Sequence, residues 1–181
     1  MTQFLGTGDE APLSTPRTVN LGRGVIVPYP EPSSSAATRI GRANRRTDTR
    51  PEVALRAKVH HRGLRFRKDL LLRSGGLRVR PDIVFTRHRI AVFVDGCFWH
   101  ACPLHGSLPK TNRTYWQPKL AGNIDRDRRV DQALEADGWL VVRAWEHEHA
   151  ADVADRLVTI IAARRQPPTP EKNDGRHLHH Q

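Results

Sequence analysis

A short segment in the middle of the chain, DGCFWHACPLHG at 95–106, concentrates the side chains best suited to chemistry. It contains both cysteines of the protein, Cys97 and Cys102, together with Asp95, His100 and His105. Thiolates and imidazoles are ligands for zinc, carboxylates bind harder cations, and histidine exchanges protons near neutral pH. The segment therefore combines ligands for two kinds of metal ion with a candidate general base.

Three of these residues, Cys97, Cys102 and His105, have the close spacing of zinc ligands. A closed tetrahedral site needs a fourth ligand, and His147 and His149 follow the apolar segment WLVVRAWEH. If that segment is a strand beside the one that precedes Cys97, His147 emerges near the cysteines. We predict a structural zinc site of Cys97, Cys102, His105 and His147. The alternative is a pair of free thiols in a reducing compartment.

Two aspartates end neighbouring apolar segments, RPDIVF and RIAVFVDG. A hairpin that turns between His88 and Arg89 would set Asp82 directly opposite Asp95, with β-carbons about 4.5 to 5.5 Å apart. Two carboxylates at that distance repel each other, and a divalent cation between them would remove the conflict. The sequence thus predicts a cation site here; two solvated aspartates at strand ends are the alternative.

Glu52 is the candidate third acid. It follows Thr49 at the spacing of a capping box, in which the glutamate returns a hydrogen bond to the first residue of the helix. The helix N-terminus could also direct Glu52 towards the cation site. The spacing fits both roles equally.

The hydrophobic periodicity changes in a regular order through residues 39–165. We predict a helix, three strands, a helix, a strand and a helix, in the segments TRPEVALRAKVHHRG, LRFRKD, RVRPDIVF, RIAVFVDG, TYWQPKLAGNIDRDRRVDQALEADG, WLVVRAWEH and ADVADRLVTIIAARR. This order predicts an α/β fold with a mixed sheet flanked by helices. The Pro- and Ser-rich residues 1–38 and the polar residues 166–181 are predicted to be a disordered arm and tail.

The charge of the chain indicates its partner. Thirty lysines and arginines against 19 acidic residues give a net charge of +11, and such a surface attracts nucleic-acid phosphates. No apolar run is long enough to span a membrane, and no signal-peptide pattern opens the chain. We therefore expect a cytoplasmic, nucleoid-associated protein of bacterial type without a membrane partner.

The order of an acid-bearing helix, a Pro-Asp strand and a second strand ending in Asp-x-x resembles the restriction-endonuclease-like nuclease core. That core continues Asp-x-Lys, whereas this chain has Cys97 in place of the lysine, which makes His100 the nearest candidate base. The segments RRTDTRPE, RPDIVF, VFVDGCFWH, NRTYWQPKLAGNIDRDRR and GWLVVRAWEHE resemble the very-short-patch repair (Vsr) endonucleases over residues 41–150.

The resemblance implies an enzyme that nicks double-stranded DNA 5′ to the thymine of a T:G mispair left by 5-methylcytosine deamination. It implies hydrolysis with catalytic Mg²⁺, in which two ions about 3.5 to 4 Å apart stabilise the attacking and leaving oxygens. Asp82 matches the central magnesium ligand, with Glu52 and Asp95 completing the site directly or through water. His100 matches the histidine that activates the water. Asp95 stands where the best-known member has histidine.

The same resemblance assigns Cys97, Cys102, His105 and His147 to structural Zn²⁺, and aromatic residues to the DNA interface. Phe98, Trp99 and Trp116 fall at the aromatics that insert beside the mismatch, and Asn123, Arg126 and Arg128 are further candidate DNA contacts. On residue types alone, one of Phe98 and Trp99 could instead be core, and Trp116 could anchor its helix. Gly41 stands where the family inserts a methionine.

Two other functions fit the same residues. One is a restriction-like nuclease that cuts DNA without a mismatch; the other is a zinc-stabilised DNA-binding module without catalysis. We expect a monomer that works on mismatched DNA, with other mismatch-repair proteins as possible partners.

Overall fold

The computed structural model of the protein describes residues 18–20, 24, 26–30 and 47–165. The chain divides into two units, one of Met1–Ala43 with Leu108–Gly122 and one of Asn44–Ser107 with Asn123–Gln181. Most of the predicted arm at 1–38, the whole tail at 166–181 and Gly41 lie outside the described residues.

The smaller unit holds a short strand pair that the sequence did not predict. Strands β1 (Thr18–Asn20) and β2 (Ile26–Pro28) are antiparallel, with Val19 opposite Val27. In the same unit Tyr29 lies edge-to-face against the buried Tyr115, with ring centroids 6.0 Å apart. Part of the predicted arm thus has regular structure.

The remaining elements follow the predicted order closely. They are α1 (Arg50–His61), β3 (Leu72–Ser74), β4 (Leu77–Val79), β5 (Ile83–Phe85), β6 (Ile90–Asp95), α2 (Arg113–Ala136), β7 (Leu140–Trp145) and α3 (Ala150–Arg165). Strands β5, β6 and β7 form a sheet in that order, antiparallel and then parallel. The predicted mixed α/β fold is confirmed. Within the described ranges, no helix combines the length and apolar character that a membrane span requires.

The two faces of this sheet pack against different elements, because side chains alternate along each strand. Ile83, Ile90 and Val92 join a core with α1 and α3 that includes Leu55 and Leu157. The opposite face packs against Leu134 of α2 and against the β3–β4 hairpin, through residues that include Val84, Ala91, Leu72 and Val79. Residues at the ends of the strands are therefore held on both sides.

The predicted register of the β5–β6 hairpin was wrong by two residues. Phe85 pairs with Ile90, so the connection is a 3₁₀ turn at Thr86–His88 followed by Arg89 in the left-handed region at φ 50°. The hairpin is thus centred one residue earlier than the predicted turn between His88 and Arg89, and Asp82 does not lie directly opposite Asp95. Because a shift of two residues preserves the side-chain alternation, both aspartates still belong to the face that packs on α2.

Two strand predictions were also wrong in detail. The segment LRFRKD makes only an isolated antiparallel bridge between Arg67 and Val84. The segment RVRPDIVF is interrupted at Pro81, and its first half pairs with β3 across a turn at Gly75 and Gly76, both at positive φ. A Gly-Gly pair between two β segments is a hairpin signal that the sequence carried.

Candidate active site and metal centre

The parallel pairing of β6 and β7 brings the two halves of the site together. Asp95 is in register with Trp145, and both strands end there. The Glu146 N–H donates to the Asp95 carbonyl at 2.9 Å, and the Cys97 N–H donates to the Glu146 carboxylate at 2.6 Å. Because parallel strands end at the same edge of a sheet, the residues two positions beyond them, Cys97 and His147, lie side by side.

The four predicted zinc ligands form one group. The ligand atoms of Cys97, Cys102, His105 and His147 all lie within 4.8 Å of one another. His147 Nδ1 is 3.0 Å from the Cys97 sulfur and 3.8 Å from the Cys102 sulfur, and His105 Nδ1 is 4.0 Å from the Cys102 sulfur. Two thiols and two imidazoles at this spacing suit a tetrahedral metal ion. His149, the other candidate, is not part of this group.

The two thiols differ in their ease of ionisation. Burial, and then the neighbouring Cys102, raise the pKa of Cys97 to about 11. Burial also acts to raise the pKa of Cys102, but the His105 and Leu104 backbone N–H groups lower it overall. A cation that binds both sulfurs would take them as thiolates, so that binding releases protons.

The loop that carries these ligands depends on Gly106. The Gly106 N–H donates to the Cys102 carbonyl at 2.7 Å, and the Cys102 N–H donates to the Cys97 carbonyl at 2.9 Å. A β-carbon at Gly106 would overlap the Cys102 carbonyl oxygen and lie 2.8 Å from the Ala101 carbonyl carbon. Both obstacles are backbone atoms, so a larger residue would have to displace the ligand Cys102.

Asp82 is the acid with the most perturbed ionisation. Its carboxylate accepts a hydrogen bond from the Val94 N–H at 2.7 Å. Burial, with the charges of Glu52 and Asp95, raises the pKa of Asp82 to about 6 against the lowering effect of that hydrogen bond. The three acids thus act on one another electrostatically. Among the described residues, however, their carboxylate oxygens do not form a compact group that could all bind one ion, as the ligand atoms of Cys97, Cys102, His105 and His147 do.

Glu52 is buried at the start of α1, where its carboxylate accepts hydrogen bonds from the Asp48 N–H at 2.9 Å and the Thr49 hydroxyl at 2.8 Å. Thr49 is the N-cap as predicted, but its side chain makes no capping hydrogen bond. The reciprocal capping box is therefore wrong, because the Thr49 hydroxyl donates to Glu52 instead of accepting from the helix.

His100 is held by an acid that the sequence reasoning missed. Its Nδ1 lies 2.5 Å from Asp127 Oδ2 and 3.6 Å from Asp95 Oδ1, and its side chain is 19 % exposed. Burial acts to raise the pKa of Asp127, but the hydrogen bond and charge of His100, with Arg143 and Arg126, lower it overall. Because an ionised carboxylate only accepts hydrogen bonds, the His100 tautomer that pairs with Asp127 is the one with its proton on Nδ1.

One face of α2 organises this arrangement. The Asn123 side-chain amide donates to the Trp99 carbonyl at 3.0 Å, Asp127 binds His100, and Asp131 binds Arg143. These three helical residues are four apart, so they lie on one face. The spacing was visible in the sequence, but such a run of charged residues is more often a solvated helix face. Asn123, predicted to contact DNA, has its amide engaged in this contact.

Asp95 is the most buried of the acids on the sheet, with 4 % of its surface exposed. Both of its carboxylate oxygens lie 2.9 Å from Arg143 Nη1. Burial acts to lower the pKa of Arg143, but the hydrogen bond to Asp131 and the charge of Asp95 raise it overall. Arg143 therefore stays charged, and its guanidinium contacts both oxygens of the buried Asp95 carboxylate. Arg143 was not predicted, because nothing in β7 alone indicates its partner.

The predicted aromatic residues belong to both units. In the larger unit, Phe98 and Trp99 are half-buried and edge-to-face, with ring centroids 5.0 Å apart. In the smaller unit, the half-buried Trp116 lies edge-to-face against Tyr115 at 5.0 Å. Neither Phe98 nor Trp99 is fully buried. The predicted DNA contacts Arg126 and Arg128 are exposed on α2.

Comparison with known proteins agrees with this geometry. Residues 34–104 match the family described as DNA mismatch endonuclease Vsr. The type II nicking enzyme V.NaeI of Lentzea aerocolonigenes is 53 % identical over 134 residues, which cover 74 % of this chain and 81 % of that protein. The DNA mismatch endonuclease Vsr of Escherichia coli strain K12 is 37 % identical over 101 residues, covering 55 % of this chain and 62 % of that protein.

The family match and these relatives identify the protein as an endonuclease that acts on DNA. The chain belongs to the Vsr endonuclease family, as the resemblance of its motifs predicted. Its class is that of DNA-repair hydrolases, which sets aside the alternative of a DNA-binding module without catalysis.

The loop geometry yields a first prediction. We expect Gly106→Ala to destabilise the protein by about 1 to 3 kcal/mol, the usual cost of forcing extra volume into a packed site, and to lower its bound metal. Thermal unfolding and elemental analysis measure the two effects. Ser107→Ala, at an exposed neighbouring position, is the control. An unfolding temperature and metal content equal to those of the wild type would contradict the role given to Gly106.

Proposed function

We propose that the protein nicks double-stranded DNA 5′ to the thymine of T:G mispairs arising from 5-methylcytosine deamination, by Mg²⁺-dependent phosphodiester hydrolysis on a restriction-endonuclease-like core. The observation that carries the proposal is the Asp127–His100 pair next to the buried Asp95, on the sheet face that also bears Asp82. A base and an acid cluster at one strand edge suit hydrolysis of a phosphodiester.

The acid cluster fits magnesium. Mg²⁺ keeps several of its waters and is usually held by only one or two carboxylates, so acids that are not all within single-ion distance suit it. Asp82 is the direct ligand in our proposal, because burial first, and then the negative charges of Glu52 and Asp95, raise its pKa, and a bound cation would offset both effects. Glu52 and Asp95 complete the site directly or through water. When bound, Mg²⁺ stabilises charge on the phosphoryl oxygens and promotes ionisation of water.

His100 takes the proton from the attacking water at Nε2. Asp127 supports this role in two ways: it fixes the imidazole ring through Nδ1, and it stabilises the imidazolium that forms. The partial exposure of the His100 side chain lets water and DNA reach it. Cys97, at the position where a lysine is expected in restriction-like enzymes, belongs to the other metal group and leaves the base role to His100.

The mismatch requirement rests on the aromatic residues and on the family. Phe98 and Trp99 are half-buried and directly precede His100, so apolar contact with the bases would fall next to the reaction. We propose Trp116 as a third aromatic contact to the DNA. Further proposed DNA contacts are Asn123, Arg126 and Arg128. The E. coli relative carries mismatch endonuclease in its name, which favours the same substrate for this chain.

Zn²⁺ is the metal that we propose for Cys97, Cys102, His105 and His147. The donor set of two thiolates and two imidazoles matches its preferences, and four protein ligands leave no open position for catalysis. The ion would therefore fix the 97–106 loop, and with it the orientation of His100.

Nicking of matched duplexes tests the proposed reaction. The protein with Mg²⁺ should nick a T:G duplex on the thymine strand and leave the corresponding T:A duplex intact. Equal cutting of both duplexes would replace the proposal with a restriction-like nuclease. Absence of nicking on both would reject it.

Asp82→Asn separates chemistry from folding, since asparagine can still accept the Val94 hydrogen bond. We expect it to abolish nicking but keep DNA binding. Wild-type nicking at limiting Mg²⁺ should fall as the pH drops through about 6, where Asp82 gains a proton.

The sign of the stability effect follows from the same pKa. Asp82 ionises near 3.8 when unfolded and near 6 when folded, so its charge destabilises the metal-free protein increasingly between those values and fully above them. Asp82→Asn should therefore raise the stability of metal-free protein at pH 7.5 by about 1 to 3 kcal/mol, with little effect at pH 3.5. Retained nicking, or a destabilised variant at pH 7.5, would contradict the role of Asp82.

The zinc proposal has a matched pair of variants. His147→Ala removes one ligand, so we expect loss of zinc to a chelator that leaves the wild type loaded, and a lower unfolding temperature. Zinc-finger peptides gain about 10 to 16 kcal/mol from their metal, so the loss should be large. His149→Ala, two residues away and also exposed, should keep its zinc. One full equivalent of zinc in His147→Ala would exclude His147 as a ligand.

A further inference from the structure

Arg143 occupies an unusual position on β7, where its guanidinium faces three carboxylates. Its Nη1 is 2.9 Å from both oxygens of Asp95, and its Nε and Nη2 are 3.0 and 2.8 Å from the two oxygens of Asp131. Nη2 also lies 3.8 Å from Asp127 Oδ1. All three guanidinium nitrogens therefore contact acids of the site or of α2.

The guanidinium is also fixed from the side of the sheet. Its central carbon lies 4.8 Å from the ring centroid of Phe93, the residue that pairs with Arg143 across β6 and β7. A cation over an aromatic face is stabilised by the ring. The side chain is 23 % exposed, so its position is set mainly by protein contacts.

Two carboxylates are within reach of the same proton on His100. Asp127 lies 2.5 Å from Nδ1 and Asp95 lies 3.6 Å from it. One Nδ1–H makes one strong hydrogen bond, and here Asp127 accepts it while Asp95 lies just beyond hydrogen-bond distance. Asp95 is too buried to be solvated, and without a cation partner its nearest protein donor outside the backbone would be His100.

We propose that Arg143 is a positioning residue for nicking: by holding Asp95, it leaves His100 to pair with Asp127 alone. This inference rests on the proposed role of His100 as the base. Arg143 does not touch the reacting atoms. It affects the reaction through the orientation of the His100 imidazole ring. Asp127 on α2 sets that orientation, and Asp95 would turn the ring if Arg143 did not hold it.

Arg143 could instead serve only to join α2 to the sheet through Asp131, and substitutions distinguish the two roles. Arg143→Met removes the cation and frees Asp95. Arg143→Lys keeps a cation beside Asp95. Its single ammonium group cannot also make the two-nitrogen contact that the guanidinium makes with Asp131. Asp131→Asn weakens the link to α2 and leaves the Arg143–Asp95 pair in place. Only the positioning role predicts that the last two variants resemble the wild type.

In the T:G nicking assay we expect Arg143→Met to lower kcat by about 100-fold, the lower end of what a positioned general base contributes, with a smaller change in KM. Arg143→Lys and Asp131→Asn should retain most of the wild-type kcat. Arg62→Met, which breaks a surface ion pair with Asp155, is the control for loss of an arginine elsewhere. The inference is overturned if Asp131→Asn loses as much kcat as Arg143→Met.

A second readout does not depend on nicking. Proton NMR of ¹⁵N-histidine-labelled protein, without DNA or Mg²⁺, should show a low-field signal from the His100 Nδ1–H, assigned by its loss in His100→Gln. The signal should persist in Arg143→Lys and Asp131→Asn and move in Arg143→Met. If Arg143→Met does not fold, the test rests on Arg143→Lys and Asp131→Asn. Loss of the His100 signal in both of these variants overturns the inference. A wild type that shows the signal but does not nick would reject the proposed function alone.

Discussion

The pairing of β6 with the distant β7 is the contact that brings together the thiol group and the Asp95–Arg143 pair. Six register pairs, from Ile90 with Leu140 to Asp95 with Trp145, make the two strands end at the same level. Beyond that level the chain leaves the sheet as two adjacent segments, and Cys97 meets His147 there. Near the carboxyl ends of the two strands, the Asp95 carboxylate contacts the Arg143 guanidinium. The thiol group and the acid group are thus consequences of one strand pairing.

The site concentrates negative charge in a protein whose net charge is +11. Each acid has its own compensation: Asp95 has Arg143, Asp127 has His100, and Glu52 has the Asp48 N–H and the Thr49 hydroxyl. Asp82 accepts a hydrogen bond from the Val94 N–H and feels the charge of Arg56, yet its pKa remains raised. This is the acid that we propose to bind the cation directly, and its buried charge lowers the stability of the fold when no cation is bound.

Local patterns predicted much of the fold, and contacts between distant segments account for what they missed. Periodicity identified the three helices and strands β6 and β7, and the expected adjacency of those strands correctly put His147 near the cysteines. The register between Asp82 and Asp95 was wrong because it depended on a turn with Arg89 at positive φ, which its sequence does not signal. Asp127 and Arg143 were missed because their roles arise from partners on other elements, and an isolated charged residue in a basic chain looks like solvated surface.

The four-residue spacing of Asn123, Asp127 and Asp131 makes three contacts of α2 depend on the exact number of residues between them. Each of the three side chains reaches a different element: the loop at Trp99, the base at His100 and the strand at Arg143. A helix advances about 100° per residue, so one inserted or deleted residue inside this span would turn the later side chains away from their partners. Substitutions on the outer face of α2 leave that spacing intact. The length of this segment is therefore more tightly constrained than its exposed residues, except at Arg126 and Arg128, the proposed DNA contacts.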